Sequence, residues 1–321
     1  MISKGVTLRG LEVFEALARS GSVAQAASET GLSQPAVSQQ IRNLEAALDT
    51  ALVDHGKRPM RLTAAGRSFL SRTNRVLSEL RLAQSELTVM DLSHLTSLSL
   101  GMIDDFDNDL TPRLATVLAE SLTNCRFRLI TAPSHEISKA MTERHLHLGV
   151  AASTGEMLAG VTEYPLVRDP FIIVAPRGQF PGGAPSIDAL SQLPFLRYER
   201  AQLISRTIDA QFTRLGLEFP ERFEIGSHLA LMAMVARGIG WAVTTPLGYM
   251  RAVRFHDEVE ACPLPFAPFS RTISLFASAD WADRVPRDVH AILRRLLQEQ
   301  VIAPTLTKLP WLADDLHLTS S

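Results

Sequence analysis

Only two cysteines occur in the 321 residues, Cys125 and Cys262, far apart and in no Cys-x-x-Cys pattern. That spacing fits free buried thiols in a reducing cytoplasm, with a single regulatory disulfide as the alternative. No apolar run approaches the ~20 residues of a membrane-spanning helix, and the N-terminus lacks a signal peptide's apolar core, so no membrane partner is expected. Enzyme signatures are missing as well. There is no Gly-x-Ser-x-Gly elbow for a nucleophile and no Gly-x4-Gly-Lys-Ser/Thr loop for a nucleotide. His135-Glu136 begins like a zinc-protease motif, but Lys139 stands where the second histidine must be. His145-x-His147 has no third ligand nearby. We therefore expect no enzyme, no metal and no cofactor. Net charge names no partner either, because 32 Lys+Arg nearly balance 34 Asp+Glu.

The charge is unevenly spread, however. Residues 1–90 hold 11 Lys+Arg against 8 Asp+Glu, and the remainder 21 against 26. The basic excess surrounds the stretch Gly21 to Leu48, which reads as two short helices joined by a tight turn. Ser22 caps Val23 to Thr30, Gly31 supplies a turn residue tolerant of positive φ, and Ser33 caps a second helix with Pro35 in its first turn. In that helix Val37, Ile41, Leu44 and Leu48 form one apolar stripe, while Gln34, Ser38, Gln39 and Arg42 fall away from it. Glutamine and arginine match adenine and guanine edges in the major groove, so the helix is a candidate reader of sequence. The alternative is an ordinary solvated helix. Context favours the reader: Leu8, Leu11, Phe14 and Leu17 give a preceding helix to pack against. A basic segment with Lys57, Arg58 and Arg61 follows, the layout of a winged helix-turn-helix.

The run LEVFEALARSGSVAQAASETGLSQPAVSQQIRNLEAALDTALV followed by RLTAAG resembles the N-terminal domain of LysR-type transcriptional regulators. The resemblance implies that Gln34, Pro35, Ser38 and Gln39 take major-groove positions and that Arg58 is the wing residue entering the minor groove; Arg42 on the helix face and Arg61 in the basic segment are DNA-binding candidates by their own placement. Two departures touch the wing's base: Asp49 stands where the family usually has glycine, and Val53-Asp54-His55 where it has phenylalanine, one residue and arginine.

Thr63 can cap a long helix to about Met90. Its positions Leu70, Thr73, Leu77, Leu80, Gln84 and Leu87 fall on a seven-residue repeat, which suits pairing with a second copy; packing on its own domain is the alternative. Beyond a hinge at 91–96, strand and helix periods alternate: SLSLGMI, Leu110 to Leu122, RFRLIT, His135 to His145, LHLGVAA, and a second set from FIIVAP to GWAVTT. The chain crosses between two lobes near 162–168 and returns near 266–272, resembling the family's effector domain. The expected fold class is thus α/β with an N-terminal all-α winged helix-turn-helix, a long linker helix and a two-lobed periplasmic-binding-protein-like (type 2) effector domain. Expected boundaries are 1–63, 64–90, 91–96, 97–303 (lobe 1 about 97–162 and 272–303, lobe 2 about 168–266) and a tail at 304–321, frayed or docked on a neighbour through Trp311 and Leu312.

Ligands in such open sheets sit at the carboxyl ends of strands, between lobes. The loop Asp104-Asp105-Phe106-Asp107-Asn108-Asp109 is the unusual feature there. Either Asp104 and Asp105 select a cationic or multiply hydroxylated effector, or the acids only cap the helix at Thr111-Pro112. By position in the family pattern Ser134, Gln202, Leu203 and His228 line the same cleft, His228 being equally readable as a helix-start residue turned to solvent. The resemblance also implies a cytoplasmic bacterial protein and double-stranded operator DNA as partner. It further implies a homo-oligomer, a dimer of dimers, and a small-molecule effector, with RNA polymerase as a partner if the protein activates.

Overall fold

A computed structural model describes residues 5–54, 56, 60–86, 95–122, 125–156, 158–180, 183–278 and 284–320. Two compact units divide the chain at residues 89 and 90.

In the first unit the caps and turn glycines do what their residue types predict. Helix α1, Leu8–Ser20, starts where Thr7 accepts the Gly10 N–H. Helix α2, Val23–Thr30, starts at Ser22 and ends at Gly31, φ 67°. Helix α3, Gln34–Leu48, starts at Ser33 with Pro35 in its first turn and ends on Asp49 in the left-handed region. Strands β1, Val53–Asp54, and β2, Arg61–Leu62, then pair antiparallel into a short wing. Helix α4, Ala64–Glu86, begins where Thr63 accepts the Gly66 N–H at 2.9 Å. Gly66 is obligatory for a steric reason: a Cβ there would lie 2.0 Å from the Leu52 carbonyl oxygen.

The core of this unit gathers Leu11, Val13, Phe14 and Leu17 of α1 with Val37, Ile41 and Leu44 of α3. The seven-residue repeat of α4 is used differently from the expected seam. Leu77 is buried in this same core, Leu70 packs against it, and Phe69 meets Phe14 with ring centroids 5.8 Å apart. The first half of α4 is therefore a fourth core helix. Gln84 and Leu87, like the hinge at 91–94, lie where side chains or backbone fall outside the described residues.

The second unit opens with β3, Ser97–Ile103, then α5, Leu110–Ser121, β4, Arg126–Ala132, α6, Ser134–Thr142, and β5, Leu148–Ala152. β3 pairs parallel with β4 and β5, as two βαβ crossovers require. The crossing segment is itself a strand, β6, Val161–Pro170, which the sequence reading passed over. Its two prolines hide it. Pro165 is accommodated because Leu166 bulges opposite the Ile273/Ser274 step of the partner strand.

Lobe 2 follows with β7, Ile172–Pro176, α7, Ile187–Ser191, β8, Phe195–Tyr198, and α8, Leu203–Leu215. It continues with β9, Glu221–Ile225, α9, His228–Ala236, β10, Ala242–Thr244, α10, Pro246–Arg251, and β11, Val259–Cys262. Here β8 and β9 are parallel, while β10, β7 and β11 form an antiparallel sheet. Strand β12, Ser270–Ser278, returns to lobe 1, followed by α11, Arg284–Leu297, a π-helical turn, Gln298–Ile302, and α12, Ala303–Lys308.

The segment expected as a tail is part of this domain. Leu309, Leu312 and Leu316 are buried, and strand β13, His317–Leu318, adds to the edge of β6. Arg168 donates to the Asp315 carboxylate at 3.0 Å and Arg294 to the Thr319 carbonyl. The lobe 1 sheet thus runs β13-β6-β12-β5-β3-β4. Leu312 docks on its own chain, not on a neighbour.

Candidate functional site

The outer face of α3 presents Gln34, Pro35, Gln39 and Arg42 exposed and Ser38 half-buried, opposite the buried Val37, Ile41 and Leu44. Three of its polar side chains hold one another: Arg42 donates to Gln39 Oε1, and Gln39 Nε2 donates to Asn43 Oδ1, each at 2.8 Å. Asn43 is the member of this face that sequence reasoning missed. Glu45 fastens the reader to the wing, its carboxylate accepting the Leu52 and Val53 N–H groups at 2.8 and 3.0 Å. That tie holds the wing's base despite the departures at residues 53–55. Arg61 is exposed on β2, whereas Arg58 and Lys57 lie outside the described residues.

In the second unit the strand ends and helix starts converge on a cleft between lobes. Asp104 and Asp105 come from the turn after β3, Ser134 from the start of α6, Gln202 and Leu203 from the start of α8, and His228 from the start of α9. Tyr198, at the carboxyl end of β8, and Arg271, at the start of β12, complete it. Its volume is about 50 Å³, room for a few water molecules only. Phe106 does not face this cleft. Its ring is packed into the hydrophobic core of the second unit, where burial removes its large apolar surface from water.

The acids do not cap the helix as one of the two expectations had it. No side chain caps α5, although Asp109 stands at its cap position. Instead two arginines take the carboxylates. Arg251 at the end of α10 donates to Asp104 and Asp107, both at 2.9 Å, and its carbonyl accepts from Asn108. Arg271 donates to Asp105 at 2.5 Å, to Asp169 of β6 at 2.9 Å and to Thr245 Oγ1 at 3.1 Å. These bonds tie the lobe 1 loop to lobe 2 and to the crossover strands.

One guanidinium serves two buried carboxylates unequally. Burial opposes the charge on Asp105, but Arg271 more than offsets it and holds the group below its ordinary value. Asp169 is fully buried, and burial outweighs the same arginine, pushing it up to about 6. The pair raises Arg271 in turn, against its own burial.

His228 is buried, not turned to solvent. Its Nε2 lies 2.7 Å from the Gly248 carbonyl, an acceptor, so Nε2 carries the proton and Nδ1 accepts from the Tyr198 hydroxyl at 2.6 Å. Burial lowers the His228 pKa and keeps the ring neutral. The Tyr198 oxygen in turn accepts from Thr244 at 2.8 Å. This chain consumes both ring nitrogens, leaving His228 nothing to offer a ligand.

Ser134 Oγ accepts the Ala152 N–H and retains its own proton to donate. Gln202 donates from Nε2 to the Gly226 carbonyl, leaving Oε1 as an acceptor. The starts of α6 and α8 carry no side-chain cap, and Ser134, Leu203 and Ile204 of their first turns line the cleft.

Comparison with known proteins places both units. Residues 8–67 match the family described as bacterial regulatory helix-turn-helix protein, lysR family, and residues 94–299 the LysR substrate binding domain. The HTH-type transcriptional regulator BbuR of Bordetella bronchiseptica is 27% identical over 250 residues, 74% of either chain. A full-length OxyR variant from Pseudomonas aeruginosa superposes with a TM-score of 0.66 at 19% identity, covering 92% of this chain and 96% of that one. Full-length CbnR, solved with its target DNA, gives 0.57 at 19% identity over 90% and 99%. The chain belongs to the LysR family of transcriptional regulators, with a DNA-binding helix-turn-helix domain followed by an effector-binding domain, and is not an enzyme.

Proposed function

We propose that the protein reads its operator through Gln34, Pro35, Ser38, Gln39 and Arg42 in the major groove, with Arg58 and Arg61 of the wing holding the backbone and minor groove. The observation that carries this is the exposed polar face of α3 opposite its buried stripe. It acts as a homo-oligomer, a dimer of dimers, in the cytoplasm, and meets RNA polymerase where it activates. No cofactor beyond the effector is needed.

The effector binds the inter-lobe cleft through its hydrogen-bond acceptors, towards Ser134 and the uncapped starts of α6 and α8, where helix ends favour negative charge. A small carboxylate fits this better than an amine, because Arg251 and Arg271 already hold the acids. About 50 Å³ admits no such molecule, so binding must part the lobes and loosen those ion pairs. Operator fragments selected from random DNA, titrated by fluorescence anisotropy with and without carboxylate, polyol and amine sets, test both halves. A carboxylate that alters operator affinity in the wild type and not in Ser134→Ala supports the reading. Loss of the effect only in Asp104→Asn would return the acids to the role of selector.

A further inference from the structure

The amide of Gln39 is held at both ends. Arg42 donates from a terminal nitrogen to Gln39 Oε1, and Gln39 Nε2 donates to Asn43 Oδ1, each at 2.8 Å. Residues three and four apart stand side by side on a helix, so both partners come from α3 itself and are in place before any DNA arrives. A guanidinium only donates, which turns the oxygen of the amide towards Arg42 and the nitrogen towards Asn43. An amide turned over would set its NH2 against the guanidinium and its oxygen against the Asn43 oxygen.

What remains free on Gln39 decides what it can read. An amide has two acceptor sites on its oxygen and two hydrogens on its nitrogen. Arg42 takes one of the first and Asn43 one of the second, leaving one acceptor and one donor on an exposed side chain. Adenine shows the major groove one acceptor, N7, and one donor, N6, whereas guanine shows two acceptors, N7 and O6. A glutamine with both hydrogens free can pair with either purine. With one hydrogen spent on Asn43, only adenine offers it a two-bond match. Fixing the amide beforehand also removes rotamer freedom that binding would otherwise have to freeze.

Given Gln39 as a base reader, the reading on which this rests, we propose that Asn43 is a specificity-determining positioning residue. It does not touch the bases; by taking one hydrogen of Gln39 it restricts that side chain to adenine.

The test uses the full-length protein and its variants Gln39→Ala, Asn43→Ala, Asn43→Asp and the double alanine variant, each selecting sequences from a random duplex pool. Asn43 is exposed, so its variants keep the fold. The base pair at which Gln39→Ala loses its preference marks the position of Gln39. Duplexes carrying A·T or G·C there are then titrated by fluorescence anisotropy at several salt concentrations. The wild type should bind the adenine duplex about 5- to 150-fold more tightly. Asn43→Ala should shrink that ratio roughly three- to tenfold and leave the salt slope unchanged. Asn43→Asp keeps the acceptor, so it should weaken both duplexes together and preserve the ratio. Without Gln39, Asn43→Ala should have no further effect at that base pair, as expected of a residue that acts through another. An unaltered selection in Gln39→Ala overturns the base-reading role and this inference with it. A preference lost in Gln39→Ala but kept in full in Asn43→Ala overturns the inference alone. So does a wild-type preference for guanine at that position, an Asn43→Ala effect that persists without Gln39, or a ratio in Asn43→Asp as low as in Asn43→Ala.

Discussion

The reader face of α3 and the acidic loop after β3 look alike as sequence: each is a short run of polar side chains beside a helix. Their partners differ. Arg42, Gln39 and Asn43 contact one another within a single helical turn and otherwise face solvent. Asp104, Asp105 and Asp107 are taken by arginines 147, 166 and 144 residues away in the chain. A polar run free of distant partners is available to bind something else; one that is ion-paired across lobes holds the protein together.

The sharpest way to break this contrast is Arg271→Ala. It leaves Asp105 and the fully buried Asp169 without their cation, and removing one partner of a buried pair costs about 3–5 kcal/mol. All three tryptophans, at 241, 281 and 311, belong to the second unit, so urea unfolding followed by their fluorescence isolates the effect. A loss below about 1 kcal/mol would show that the lobes do not depend on this tie.

Asp169 sharpens the same point through pH. Its carboxyl is raised from 3.8 to about 6, so the folded chain keeps a proton that the unfolded chain has released. Its contribution is greatest below about pH 4, declines as pH rises towards about 6, and is level above. Asp105, held low, acts in the opposite sense and only under more acid conditions. Asp169→Asn should flatten the decline between pH 4 and 6 in denaturant titrations; an unchanged slope would assign it to other groups.

On the reader side the expected changes concern DNA, not folding. Gln39→Ala should lose about 1–3 kcal/mol of discrimination between operator and scrambled fragments. Arg61→Ala should weaken both equally and lower the salt slope by about one. Equal loss of discrimination in the two variants would remove the division between base reading and backbone holding. The smallest effect belongs to Asp49, which ends α3 at φ 47°. Asp49→Gly should stabilise the first unit by roughly 0.5–1 kcal/mol, because glycine adopts that conformation without strain. Far-ultraviolet thermal melts resolve it.

What could be read from residues follows the same division. Ser22, Gly31, Ser33 and Pro35 act through neighbours a few positions away, so the helix-turn-helix and its outward face were legible. Ser134, Gln202, Leu203 and His228 came from position in the family pattern, and the structure places all four around the cleft, with His228 buried and not turned to solvent. Arg251 and Arg271 were missed because nothing near them in the chain marks their partners. Tyr198 was within reach, as the last residue of an apolar strand whose carboxyl end had to face the cleft. The role of Phe106 depended on how the loop packs, which residue type does not set. β6 was obscured by prolines that a bulge accommodates, and β13 by its two-residue length.

The order of strands in the lobe 1 sheet also governs how the protein is made. β6, β12 and β13 sit side by side at one edge, yet they leave the ribosome about 150 residues apart from first to last. Lobe 2, by contrast, is continuous from β7 to β11 and is complete while β12 is still being synthesised. The opening strands of lobe 1 therefore lack β12, the partner of β5, until the whole of lobe 2 has been made. Only when residues near 318 emerge can β13 cover the edge of β6, so a truncated nascent chain carries an open sheet edge that the finished regulator does not.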